Sequence, residues 1–306
     1  MSADTAYLVA FIVLAVPLGA TVALTIISAV PPRRPLDFRG KHVLVTGGSE
    51  GLGRAIALQL VASGADVTIV ARRAEVLQRV VDEVATLNSP YHGHIFYQVA
   101  DVTDVDAIES AIARAHEVVG PIDILFPNAG KSLVGYVKEN PIEIFRETME
   151  LNFFGTINTV NAVLPSMLER RKGCICFITS AAALTSYIGL SAYSPTKYAH
   201  GSVGFEFENL TKPAECKALE ATEKLFQPEE VATSILKDLK NGVYNMYCGD
   251  FGIALLGVLS GGMSPRKNTA LDMLLFPFAV VVAFVVRRGW DLHVKRGYVH
   301  PDSKFV

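Results

Sequence analysis

Short apolar runs punctuate the middle of the chain: His42-Val-Leu-Val45, Asp66-Val-Thr-Ile-Val-Ala71, Ile95 to Val99, Asp123-Ile-Leu-Phe126 and Cys174-Ile-Cys-Phe-Ile-Thr179. Their length and their Val and Ile content predict strands. After the first run, apolar positions recur with helical spacing from Arg54 to Val61, so this part reads as strand, glycine turn and helix. A second helix is expected to start near Asp104, and a late strand to cover Val243-Tyr-Asn-Met-Tyr247.

The two ends follow another pattern. Ala6 to Val30 carries no charge over twenty-five residues, enough at ~1.5 Å per residue to cross a ~30 Å hydrocarbon core. It reads as a transmembrane helix. A cleaved signal peptide is the rival, but only Asp4 precedes the run, whereas Arg33, Arg34, Arg39 and Lys41 follow it. Positive charge on that side places the folded domain in the cytosol. Pro31-Pro-Arg-Arg-Pro35 reads as a short stiff linker. At the other end Leu274 to Val286 lacks charge for thirteen residues, contains Pro277 and runs into Arg287-Arg288. That is short for a span. With Phe251 to Leu259 it predicts a re-entrant or surface-lying hairpin, held at the membrane by Trp290, Arg287, Arg288, Lys295 and Arg296. The alternative is a helix buried on the domain's own core. The expected organisation is an anchor and linker over 1–35, a folded domain over 36–248 and a membrane-associated region over 249–306.

Composition supports lipid contact: half of the 306 residues are hydrophobic and 19% are charged, which is apolar for a soluble protein. A net charge of −2 without a long basic run in the core argues against nucleic acid as a partner. The four cysteines include no Cys-x-x-Cys, and Cys174 and Cys176, two apart on a strand, point to one face as reduced packing residues. His92 and His94 flank Gly93 without further ligands at metal spacing, so no metal site is expected.

Candidate chemistry centres on Leu190-Ser-Ala-Tyr-Ser-Pro-Thr-Lys197, where Tyr193 and Lys197 share one helix face. An ammonium beside a phenol favours the phenolate, so Tyr193 can exchange a proton with a carbonyl or alcohol oxygen near neutral pH. Such pairs also arise by chance, and three features give this one weight. The first is Thr46-Gly-Gly-Ser-Glu-Gly-Leu-Gly53, between strand and helix, where glycines let the backbone approach a pyrophosphate seated on the helix N-terminus. The same glycines fit a rival, because Gly47-Gly-Ser-Glu-Gly51 matches the nucleophile elbow of the α/β hydrolases with Ser49 attacking an ester. That chemistry needs an acid and a later histidine, and His200, His293 and His300 sit in no recognisable context. The second feature is Ser180, thirteen residues before Tyr193, and the third is Asn152 in Glu150-Leu-Asn-Phe-Phe-Gly155.

Together with Asn128-Ala-Gly130, these motifs over roughly residues 40 to 200 resemble the short-chain dehydrogenase/reductase family. The resemblance implies an α/β fold with a Rossmann-type doubly wound parallel sheet, and hydride transfer with a nicotinamide cofactor. Carried over by residue, Tyr193 is the acid/base, Lys197 lowers its pKa and holds the nicotinamide ribose, Ser180 orients the substrate oxygen and Asn152 supports a proton-relay water. Gly47, Ser49, Glu50, Gly51, Gly53, Asp101, Val102 and Asn128 fall at cofactor-binding positions, Asp101 where the family contacts adenine. Its alternative is a loop carboxylate capping the helix near Asp104. Arg72 and Arg73 end the second strand, where NAD-binding proteins usually carry an acid and Arg suits a 2′-phosphate, so NADPH is the expected cofactor. The alternative is that both arginines solvate a helix start, although cations oppose the dipole there.

Within the family the chain looks most like the 3-ketodihydrosphingosine reductases, through its anchored amino end, the Gly-Gly-Ser-Glu-Gly turn, the Tyr-Ser-Pro-Thr-Lys helix, Phe205-Glu-Phe-Glu-Asn-Leu-Thr-Lys-Pro-Ala-Glu-Cys216 and Gln227-Pro-Glu-Glu-Val-Ala232. That resemblance implies NADPH-dependent reduction of a long-chain sphingoid ketone at the endoplasmic reticulum membrane, with steroid, retinoid or fatty-acyl ketones as alternative substrates. The chain departs from the family after Lys197, where Tyr198-Ala-His-Gly-Ser-Val-Gly-Phe205 runs almost directly into the later segment and about thirty residues, one βα unit's worth, are missing near 199–204. The sheet is therefore expected to be truncated after the fifth strand, leaving that strand an apolar edge unless Val243–Tyr247 moves beside it. The deletion also removes half of the family's usual dimer surface, which argues against the usual homodimer. Two function classes follow: an anchored lipid-ketone reductase, or a membrane-bound relative without catalysis.

Overall fold

A computed structural model describes residues 36–86, 93–184, 189–199, 226–243, 246–250, 252–254, 275–286 and 288. Five strands form one parallel sheet: β1 (His42–Thr46), β2 (Asp66–Ala71), β3 (Ile95–Val99), β4 (Ile124–Phe126) and β5 (Cys174–Ile175), in the order β3-β2-β1-β4-β5. Between them run α1 (Gly51–Ala62), α2 (Ala74–Val84), α3 (Val105–Val119), α4 (Ile142–Met149) and α5 (Gly155–Glu169), followed by α6 (Tyr193–Ala199) and α7 (Pro228–Lys240). Strand order reverses between β1 and β4, and the crevice at such a switch point is where open α/β sheets bind ligands.

Central position explains the composition of β1, all five residues of which are buried, so it reads as an unbroken apolar run rather than an alternating one. Leu44 and Val70 pack with Ile108, Ile112, Val163 and Met167 from α3 and α5, in one core cluster beneath the sheet. The expected strands at Asp66–Ala71 and Ile95–Val99 agree with β2 and β3 to the residue. The run Cys174–Thr179 does not: regular pairing covers Cys174 and Ile175 only, because the neighbouring β4 is three residues long and offers Ile124 and Leu125. Cys176 continues the direction with one bond from its amide to the Leu125 carbonyl at 2.9 Å. The helix predicted from Arg54 starts three residues earlier, at Gly51.

The described residues fall into two compact units, Asp37–Leu236 and a second that includes Leu36 and residues from Lys237 onward. The second holds helix α8 (275–286), where Phe276, Phe278, Val281, Phe284 and Val285 are all at least 50% exposed. Among the described residues no helix is long and apolar enough to cross a membrane. The expected anchor at Ala6–Val30, all but Ala199 of the expected deletion point near 199–204, and the centre of the expected Val243–Tyr247 strand lie outside the described residues.

At the end of β1 away from the glycine turn, His42 is buried, with Nδ1 2.6 Å from the Gly120 carbonyl and Nε2 2.9 Å from Thr68 Oγ1. A carbonyl only accepts, so Nδ1 carries the proton and a neutral ring takes the Thr68 hydroxyl at Nε2. Burial holds the imidazole below its ordinary value, with the Gly120 bond opposing, and burial followed by Arg170 does the same for His116. Below about pH 6.5 the unfolded chain then binds more protons than the folded one, so stability is full above that pH and falls as pH drops. The thermal midpoint should decrease from about pH 7 to about pH 5.5, and less steeply in His42→Gln. A wild-type midpoint flat across that window would refute the assignment.

Candidate active site

The glycine turn leaves β1 through Thr46, whose Oγ1 accepts from the backbone amides of Asn128 at 3.0 Å and Ala129 at 3.1 Å. Asn128 returns its Nδ2 to the Thr46 carbonyl at 3.0 Å, so the glycine turn and the turn after β4 are stitched side by side. Gly47 and Gly51 take positive φ, 65° and 53°, which side chains rarely adopt. At Gly53 the reason is space: a Cβ would stand 2.3 Å from the Gly47 carbonyl oxygen. Ser49 is half-buried between them. Glu50 is the N-cap of α1 but makes no side-chain capping bond, and the first turn holds no acid. The free amide ends of α1, with open space beside Gly51, fit the pyrophosphate of a dinucleotide.

At the end of β2, Arg73 Nη2 lies 2.7 Å from Glu50 Oε2, and Arg72 Nη1 lies 3.5 Å from Asp101 Oδ2. Asp101 does not cap α3; Asp104 does, through the Ala107 amide at 3.0 Å. Asp101 instead holds its own turn, accepting from the Thr103 amide at 3.0 Å and hydroxyl at 2.8 Å. Burial raises its carboxyl, but the Thr103 bonds and Arg72 outweigh this and leave it below the usual range. Val102 is buried under α5, its carbonyl accepting from Asn158 Nδ2 at 3.1 Å.

Tyr193 opens α6 and Lys197 follows one turn later, both buried, with the ammonium 5.3 Å from the centre of the phenol ring. Tyr193 packs with Val134, Ala182 and Leu190 in an apolar cluster. Ser180 caps the 3₁₀ turn Ala181–Ala183 by accepting from the Ala182 amide at 3.2 Å. The loop after β4 reaches the same place, because the Gly135 amide donates to the Gly189 carbonyl at 2.8 Å.

Asn152 occupies a π-helical turn, Glu150–Phe154, between α4 and α5, and is 1% exposed. Its Oδ1 accepts from the Lys131 amide at 2.9 Å, and its Nδ2 donates to the Lys131 carbonyl at 2.9 Å and to Thr196 Oγ1 at 3.0 Å. Thr196 in turn donates to the Tyr193 carbonyl at 2.7 Å. One carboxamide thus joins the loop after β4 to the helix carrying Tyr193 and Lys197. Gly130 makes room for both: a Cβ there would stand 3.0 Å from Asn152 Oδ1 and 3.5 Å from Lys197 Nζ. Thr46, Lys131 and Thr196 were not singled out from the sequence. Thr196 had a usable signal, being a hydroxyl inside the Tyr-Ser-Pro-Thr-Lys motif one turn from Tyr193; Lys131 acts through its backbone, which leaves no signal in residue type.

The sequence and the fold have counterparts among known proteins. A family model described as short chain dehydrogenase matches residues 41–212. The chain belongs to the short-chain dehydrogenase/reductase family. It is 34% identical to a 3-dehydrosphinganine reductase of Danio rerio, across 85% of this chain and 83% of that protein. It is 28% identical to a 3-ketodihydrosphingosine reductase of Neurospora crassa, across 97% of this chain and 93% of that protein. Among solved structures, an alcohol dehydrogenase from the archaeon Thermococcus sibiricus, complexed with 5-hydroxy-NADP, superimposes with a TM-score of 0.56 at 25% identity over 65% of this chain and 90% of that one. This short-chain dehydrogenase/reductase therefore has the Rossmann-type sheet that its motifs implied, and the family takes a nicotinamide cofactor. The nucleophile-elbow alternative for Ser49 falls with the family assignment.

Proposed function

We propose that this chain reduces the C3 ketone of 3-ketodihydrosphingosine to dihydrosphingosine with NADPH, in sphingolipid biosynthesis. The observation that carries the reading is the similarity to reductases of that name over most of both chains. The site supplies compatible chemistry. A nicotinamide cofactor held at the glycine turn and by Lys197 would supply the hydride for C3. Tyr193 gives its phenolic proton to the developing alkoxide, and the buried Lys197 ammonium stabilises the phenolate left behind. The Ser180 hydroxyl, with its oxygen tied to the Ala182 amide, keeps a hydrogen to direct at the ketone oxygen. Val134, Ala182 and Leu190 present an apolar wall beside Tyr193, suited to an alkyl chain. Arg72 and Arg73 supply the cations for a 2′-phosphate.

The substrate's long chain partitions into lipid, so the proposal includes a bilayer as the source of substrate and the endoplasmic reticulum membrane as the site, with the sheet domain in the cytosol. The exposed apolar face of α8 supports that association. The experiment is NADPH oxidation by the detergent-solubilised full-length protein with 3-ketodihydrosphingosine, with dihydrosphingosine identified as product. Stoichiometric product is the expected result. A folded protein that binds NADPH but yields no product would overturn the substrate assignment.

A further inference from the structure

We infer that Glu50 sets how strongly this chain prefers a phosphorylated over an unphosphorylated adenosine ribose, by holding Arg73 in an ion pair that a 2′-phosphate has to displace. The inference rests on the NADPH reading of Arg72 and Arg73. Glu50 is the residue from which α1 starts, where a side-chain oxygen can turn back onto the free amides of the helix. Here it makes no such bond and reaches across to Arg73 Nη2 at 2.7 Å. Both side chains are more than half exposed, at 62% and 57%, so the pair adds little to folding and stays within reach of a ligand. The second arginine is matched in the same way, Arg72 Nη1 to Asp101 Oδ2 at 3.5 Å, with Asp101 fixed by Thr103.

Two guanidinium groups therefore face two carboxylates at the end of β2. A 2′-phosphate arriving at Arg73 meets a like charge already in place and must release it before making its own bidentate contact. A ribose with a free hydroxyl leaves the pair closed and loses nothing. Glu50 thus narrows the gap between the two cofactors, while Arg73 opens it. Asp101 is anchored to its own turn, so the movable member of the quartet is Glu50.

The test is calorimetric titration of full-length protein in detergent with 2′,5′-ADP and with 5′-AMP, which measures binding without turnover. Glu50→Gln should tighten 2′,5′-ADP by about fivefold, the scale of one exposed ion pair, and change 5′-AMP by less than about twofold. Equal shifts for both ligands, or none for either, would overturn the inference. Arg73→Ala separates the two levels of the argument. If it leaves the preference for 2′,5′-ADP intact, the NADPH reading at that position fails and the role of Glu50 with it. If it erases the preference while Glu50→Gln does not widen it, only the role of Glu50 fails.

Discussion

Tyr193→Phe is expected to lower turnover by about 10²–10⁴-fold while changing cofactor affinity by less than about threefold. The ring itself is not the issue. It packs with Val134, Ala182 and Leu190, and Phe fills the same space, so the fold around α6 is retained. What is lost is the only atom in that side chain that can give the ketone oxygen a proton, and with it the group whose negative charge Lys197, 5.3 Å from the ring centre, is placed to stabilise. Single-turnover reduction at saturating NADPH isolates this step from binding and product release. Turnover within tenfold of wild type would remove Tyr193 from the proton-transfer role and direct attention to Ser180.

The second large effect belongs to Asn152. Asn152→Ala removes three hydrogen bonds, two to the backbone of Lys131 and one to Thr196, in a position that is 1% exposed. At ~0.5–1.5 kcal/mol per bond, with buried partners left unsatisfied, the loss should be about 2–4 kcal/mol in urea unfolding. Turnover should fall as well, because the same bonds fix α6 relative to Gly130, next to Lys197. Asn152→Asp sharpens the test. A carboxylate still accepts from the Lys131 amide but cannot donate to the Lys131 carbonyl, so it should recover little of the lost stability. A variant as stable as wild type would show that the clamp does not hold the two elements together.

Much of the sheet was legible because its signal is local. β2 and β3 are runs of consecutive strand-forming residues bounded by turns, and their ends follow from composition alone. β5 was overread for the opposite reason: Cys174–Thr179 looks like one long strand, but strand length is set by the partner, and β4 offers only a short ladder. The placement of Tyr193 and Lys197 on one helix and the glycine turn between strand and helix were legible through spacing. The Asn152 clamp was not, since its partners lie 21 and 44 residues away and two of its three bonds go to backbone. The ion pairs of Arg72 and Arg73 were hidden similarly; the arginines announce a phosphate, while Glu50 and Asp101, far from them in sequence, carried other readings.

The π-helical turn at Glu150–Phe154 joins α4 and α5 into one continuous rod from Ile142 to Glu169, with a local excess of one residue over α-helical geometry. That excess has a genetic consequence. Loss of a single codon within the turn would let the rod relax into regular α-helix, a locally easier structure, with little net rotation of one half against the other, because a π-helical turn absorbs its extra residue by winding more widely. Asn152 would swing off Lys131 and Thr196 while Thr159 and Val163 kept their places in the core. The turn is thus tuned to residue number as well as residue type, and a one-codon deletion there is expected to break the Asn152 clamp while sparing the core face of α5.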